Sequence, residues 1–130
     1  MIVELVTFKT PDGWDRAELL DDARKTIPKW RSNPELLRKH FARGLGDDQG
    51  TAAGIYLWPS IEAAKRAHDA SWREAVKQRT GSEPSIRYFD LFLLIDNEHQ
   101  RVVEWAGDGT AHELEGPARA GSESAGSRLR

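Results

Sequence analysis

Between positions 56 and 72 the chain gathers Tyr56, Trp58, His68 and Trp72, side-chain types well suited to line and serve a small-molecule pocket. A phenol and an indole each carry a hydrogen-bond donor on a large apolar ring. An imidazole gains or loses a proton near neutral pH and can act as a general base or a ligand. His68 and Trp72 are four residues apart, which puts both on one face of a helix. Tyr56 and Trp58 are two apart, which puts both on one face of a strand. Arg38 and His40 form a second alternating pair. If Tyr56 and Trp58 face the helices, strand pairing brings Arg38 and His40 to the same side. The candidate catalytic residues are therefore His68, His40, Trp58 and Tyr56, and the candidate substrate-binding residues are Arg38, Trp30 and Trp72. Each has a plainer alternative: His68 as a satisfied core residue, the tryptophans as core or interface filler, and Arg38 and Lys39 as solvated edge charges.

Other chemistries find little support. His-x-His and His-Glu-x-x-His spacings are absent, so no metal site is expected. The carboxylate pairs Asp21-Asp22 and Asp47-Asp48 are adjacent in sequence, and adjacent residues on a helix diverge by about 100°. Gly44-x-Gly46 and Gly107-x-Gly109 lack the strand-to-helix setting of a dinucleotide loop. No serine sits in a Gly-x-Ser-x-Gly elbow. The chain has no cysteine, which excludes disulfides, thiolate chemistry and cysteine-held metal clusters. A formal net charge of −2 with both signs interspersed gives no footprint for nucleic acid or anionic lipid. No run approaches the roughly 18 apolar residues of a membrane helix. Met1-Ile2-Val3-Glu4 places an acid where a leader peptide would be basic, so a cytoplasmic protein is expected.

The elements that must position these side chains follow from periodicity. Ile2 to Phe8 reads as a first strand, with Glu4 on a partly solvated face. Thr10-Pro11-Asp12-Gly13 is a turn, with Asp12 a plausible helix cap. Trp14, Ala17, Leu20, Ala23, Ile27 and Trp30 recur at helical steps, and Pro28 predicts a kink or break near Thr26. Leu36–Ala42 and Thr51–Trp58 read as a strand pair around a polar loop. Ser60 then caps a helix whose face carries Ile61, Ala64, His68, Trp72 and Ala75 and which stops at Gly81. Ile86–Ile95, nearly all apolar after Asp90, reads as a last strand buried on both faces. The order strand–helix–strand–strand–helix–strand predicts an α+β sandwich with helices on one face of an antiparallel sheet. Leu91 to Ile95 does not alternate to polar, so a second copy is the simplest cover for the free face, giving a symmetric homodimer. Arg101–Trp105 is a candidate edge strand reaching to that partner. One domain over residues 1–106 and a disordered tail over 107–130 complete the reading.

These residues resemble the dimeric α+β barrel superfamily, whose ferredoxin-like βαββαβ subunits pack sheet against sheet. Asn33-Pro34 leading into Leu36 to Phe41, then Ala53-Gly54-Ile55-Tyr56-Leu57 and an Ala-rich helix, look like the YdhR-like monooxygenase group. The resemblance covers about residues 2–100. Glu35 stands where that group usually has glycine, and Ala53 replaces the first of two glycines. A second resemblance, to haem-degrading monooxygenases, rests on Trp58 followed ten residues later by His68. It implies His68 as an axial haem ligand, although the asparagine those proteins carry on the first strand is missing here.

The resemblance implies cofactor-independent oxygenation of a small aromatic or apolar substrate. An electron-rich phenol or quinol, once deprotonated, reacts with O₂ itself, so the protein need supply only a base, an oyxanion donor and a dry aromatic pocket. His68 or His40 would be the base, with Tyr56, Trp58 and Arg38 holding the oxyanion and Trp30 and Trp72 as walls. A non-catalytic homodimer that senses a small molecule, and a haem protein using His68, are the alternatives.

Overall fold

The computed structural model describes residues 1–116. It divides into two compact units, Ile2–Asp90 and a smaller one formed by Met1 and the chain from Leu91 onward.

In the larger unit the strands are β1 (Ile2–Lys9), β2 (Arg38–Arg43), β3 (Thr51–Trp58) and β4 (Ser85–Asp90), and the helices are α1 (Arg16–Lys25), α2 (Ile27–Arg31), α3 (Ile61–Ala67) and α4 (Ala70–Thr80). The sheet runs β2-β3-β1-β4 with every pairing antiparallel, the ferredoxin-like order. Burial alternates along β3: Ala52, Gly54, Tyr56 and Trp58 are buried, while Thr51, Ala53, Ile55 and Leu57 are half-buried. That period of two assigns one sheet face to the helices. Val6, Tyr56 and Trp58 meet Trp30 of α2 and Ala63 and Ala64 of α3 there, with Trp72 of α4 packed alongside.

Local chemistry explains both helix breaks. Asp15, not Asp12, caps α1, its carboxylate accepting from the Glu18 N–H at 3.0 Å. The break expected near Thr26 is present: Thr26 separates α1 from α2, and Pro28 falls in the first turn of α2, where a missing N–H costs nothing. The helix expected to run unbroken from Ser60 is two helices. His68 leaves helical geometry (φ −112°, ψ 55°), and Asp69 opens α4 by accepting from the Trp72 N–H at 2.9 Å. Glu35 pairs with Arg66 of α3, giving this departure from the resembling group a partner.

The C-terminal part differs most from expectation. The main strand ends at Asp90, and Leu93–Asp96 forms β5 of a separate antiparallel sheet, completed by β6 (Arg101–Trp105) and β7 (Ala111–Glu115). Phe92, Leu93 and Ile95 are exposed, so the apolar run is not a doubly buried strand. β6 lies between β5 and β7 with both edges paired, which corrects its reading as an edge strand. Ala111–Glu115 is strand, although it falls in the stretch expected to be disordered; the rest of that stretch, 117–130, lies outside the described residues. Among the described residues no helix is long and apolar enough to cross a membrane.

Candidate functional site

A single row across the sheet carries much of the polar chemistry. Lys39 on β2 is in register with Tyr56 on β3, Tyr56 with Glu4 on β1, and Glu4 with Tyr88 on β4. All four side chains share the face that the helices cover, because partners in register lie on the same side of the sheet.

Glu4 is fully buried, the opposite of its expected solvated position. Two partners distant in sequence make this tolerable. Trp58 Nε1–H donates to Glu4 Oε1 at 2.8 Å, and His68 Nδ1 lies 2.8 and 2.9 Å from the two carboxylate oxygens. Nδ1 is therefore assigned as the donor, which leaves Nε2 with the ring's free lone pair. Nε2 is buried with no hydrogen-bond partner among the described residues. The break between α3 and α4 is what brings His68 to this carboxylate. Its ring is enclosed by Trp72, Tyr56 and Trp30, with centroids 4.2, 4.6 and 5.4 Å away.

On the other side of that aromatic wall lies a cavity of about 360 Å³ between α1, α2, α4 and the sheet. Trp30, Tyr56 and Trp72 line it, as does Gly54, beside which the Tyr56 ring lies. Lys39 also faces this cavity. Its Nζ lies 3.9 Å from the ring centroid of Phe41, 4.3 Å from Trp30 and 4.5 Å from Tyr56. Burial pushes the Lys39 amine down to about 7, helped by the positive charges of Lys29 and Arg79 and opposed by Glu4. Burial, reinforced by Glu4, pushes the Tyr56 hydroxyl up, so it keeps its proton and remains a donor.

The candidates from sequence thus separate into three groups. Tyr56, Trp30 and Trp72 line one cavity together. His68 and Trp58 form a layer behind them with Glu4. Arg38 and His40 are exposed and pair with Leu57 and Ile55, on the opposite sheet face from Tyr56, which corrects the expectation that they line the site. Two residues of the candidate site were missed. Lys39 alternates with Phe41, a signal that the strand's inner face included it, and a glutamate inside an apolar strand signals a buried partner. The haem reading does not fit: three aromatic rings close around His68, its free Nε2 is buried, and His68 does not line the cavity. Among the described residues no group of three or more His, Asp or Glu could hold a metal.

No protein-family model and no curated protein matches the chain. Solved structures do. An MhuD variant with two manganese protoporphyrin IX bound per active site superposes with a TM-score of 0.57 at 18% identity, over 74% of this chain and 99% of that one. The ActVA-Orf6 monooxygenase of Streptomyces coelicolor, in complex with nanaomycin D, gives 0.56 at 19% identity over 73% and 90%. SnoaB, a cofactor-independent oxygenase from Streptomyces nogalater, gives 0.53 at 16% over 72% and 95%. With βααββααβ order and a β2-β3-β1-β4 sheet, the chain has the ferredoxin-like α+β fold that these structures share.

Proposed function

We propose that the larger unit binds a small aromatic molecule in the cavity beside Tyr56 and acts on it as a cofactor-independent monooxygenase. The observation that carries this reading is the Lys39 amine, which faces an aromatic-walled cavity and is pushed down to about 7. An amine poised there can take a proton from a phenol, or from a carbon acid flanked by aromatic rings, at neutral pH. Tyr56 supplies the O–H for the developing oxyanion. The resulting electron-rich anion reduces O₂: in a carbon acid one oxygen atom replaces the two methylene hydrogens as a carbonyl and the other leaves with them as water, and in a phenol the new carbonyl forms at the para C–H, whose hydrogen leaves with the phenolic one as water. His68, Glu4 and Trp58 act through the wall they support, as positioning residues. The fold shared with SnoaB and the ActVA-Orf6 monooxygenase supports the reaction class. A second copy covering Val3, Leu5, Ile55, Leu57 and the exposed Phe89 on the outer sheet face would complete a homodimer, and the cysteine-free sequence suits a cytoplasmic location.

The test is oxygen uptake with anthrones and alkylated hydroquinones. Turnover should require folded protein and fall at least about a hundredfold in Lys39→Met. Full activity in Lys39→Met with Tyr56→Phe would sink the scheme.

A further inference from the structure

We propose that the cavity selects an aromatic ligand bearing an acidic group, whose negative charge sits among Lys29, Lys39 and Arg79 while its rings lie against Trp30, Tyr56 and Trp72. This rests on the reading of the cavity as a ligand site and adds the chemical class of the ligand.

The lining is the first argument. Arg16, Lys29, Lys39, Arg43 and Arg79 all reach this cavity, and among the described residues Asp22 is the only carboxylate that does. Asp22 is already committed to Arg79, at 3.4 Å. The chain as a whole carries a net charge of −2, so this concentration of cations is not a reflection of composition. Surface lysines and arginines often lie over apolar walls with their charges in water. Arg16, Lys29, Arg43 and Arg79, all exposed, fit that description in part. Lys39 does not. It projects from the covered face of the sheet, its Nζ is boxed by three aromatic rings, and among the described residues no carboxylate lies within 4 Å of it.

Electrostatics is the second argument. The titratable and charged groups that face Lys39 are Lys29 from α2, Arg79 from α4, Tyr56 from β3 and Glu4 from β1; of the charged ones only Glu4 favours the ammonium form, as do the faces of Trp30, Phe41 and Tyr56, and Glu4 is held by His68 and Trp58. Lys29, though largely exposed, is also pushed down, first by its partial burial and last by Arg79, and is relieved in part by Asp69. Like charges brought together at a partly dry surface repel, and an anion placed between them removes the repulsion and gains the attraction. Binding an anion therefore draws a proton onto Lys39. A neutral ring system of the same shape would leave that cluster uncompensated.

The experiment is a fluorescence titration of the full chain with two probes that share their rings and differ by one charge, anilinonaphthalene sulfonate and N-phenylnaphthylamine. The sulfonate should bind at least about tenfold more tightly at neutral pH and low salt. That advantage should shrink as pH rises above about 7, where Lys39 loses its proton. Lys39→Met should remove most of the preference, measured as the ratio of the two affinities, and Lys39→Arg should keep it. Lys29→Met, at an exposed helix position, should move the preference in the same direction without disturbing the core. Equal or tighter binding of the neutral probe by the unmodified chain would overturn the proposal and leave the cavity reading standing. A preference untouched by both methionine variants would also overturn it. If neither probe binds, the ligand-site reading falls and this proposal falls with it.

Discussion

Replacing Glu4 separates the structural from the chemical role of the buried network. Glu4→Ala strands two buried donors, Trp58 Nε1–H and His68 Nδ1–H, each of which costs about 1–3 kcal/mol without a partner. The lost side-chain volume in a closed core adds about 1 kcal/mol. The sum, about 3–7 kcal/mol, is a large share of the roughly 5–15 kcal/mol that holds a domain of this size folded. Glu4→Gln keeps the shape. Its carbonyl oxygen must stay with Trp58, because an indole N–H cannot be an acceptor. The amide nitrogen then faces His68 Nδ1 at about the present 2.9 Å, donor against donor. The ring escapes by changing tautomer, so that Nδ1 accepts and Nε2 carries the proton.

Glu4→Gln should therefore cost less than Glu4→Ala, about 1–3 kcal/mol, most of it from the charge-assisted bond lost and the new N–H left buried. Urea unfolding of the two variants measures the energies, and ¹⁵N chemical shifts of the His68 ring nitrogens report the tautomer. A glutamine variant whose Nδ1 still carries the proton would refute the assignment. So would an alanine variant that loses less than about 1 kcal/mol, because the carboxylate could not then be satisfying two buried donors.

Two further outcomes follow from the same face of the sheet. Lys39 has its folded-state value lowered from 10.5 to about 7, so between those values the unfolded chain binds a proton that the folded chain does not. Stability should rise with pH through that window, the penalty being complete below about 7 and absent above 10.5, and Lys39→Met should flatten the rise and be more stable at neutral pH by about 1–3 kcal/mol, read from denaturant melts across pH. At Gly54 an added Cβ would lie 2.8 Å from Tyr56 Cε1 and 3.2 Å from its hydroxyl oxygen. Tyr56 is too closely packed to yield, so Gly54→Ala should destabilise by about 1–3 kcal/mol and alter the near-ultraviolet circular dichroism of the aromatic cluster; an unchanged spectrum with full stability would mean that the ring is not held where the structure has it.

The order of elements was legible because alternation in β1 and β3 and the stripe ending at Trp30 are strong periodic signals. Pro28 marked the first helix break for a steric reason that needs no tertiary context. The break at His68 was hidden, since Ser60 to Thr80 holds no proline or glycine and Asp69 becomes a cap only once His68 turns toward Glu4. The side on which Arg38 and His40 emerge was beyond reach. It depends on how the loop between β2 and β3 sets the pairing, and a slip of one residue exchanges Arg38 and His40 for Lys39 and Phe41. Leu91 to Ile95 misled through composition: the run is apolar, but the chain leaves the main sheet at Asp90, and alternation within the smaller sheet leaves Leu93 and Ile95 exposed. Glu4 misled in the other sense. A charge in a strand reads as solvated unless its partners are known, and here they lie 54 and 64 positions away.

The row Lys39–Tyr56–Glu4–Tyr88 explains why the amine is left without a counter-ion. Adjacent strands are about 4.8 Å apart, so β2 and β1, with β3 between them, set Lys39 and Glu4 about 10 Å apart at the backbone. Tyr56 fills the space between, and the carboxylate turns to Trp58 and His68 instead of to the lysine. Had Glu4 stood on β3 in place of Tyr56, it would have neutralised Lys39 directly and left an ion pair under the helices. With the tyrosine interposed, the carboxylate's charge is spent on the buried imidazole and indole, and the amine stays caged among rings beside Lys29 and Arg79. One sheet register thus yields two electrostatic systems: a closed one that fixes the aromatic wall, and an open one in which cations line the cavity.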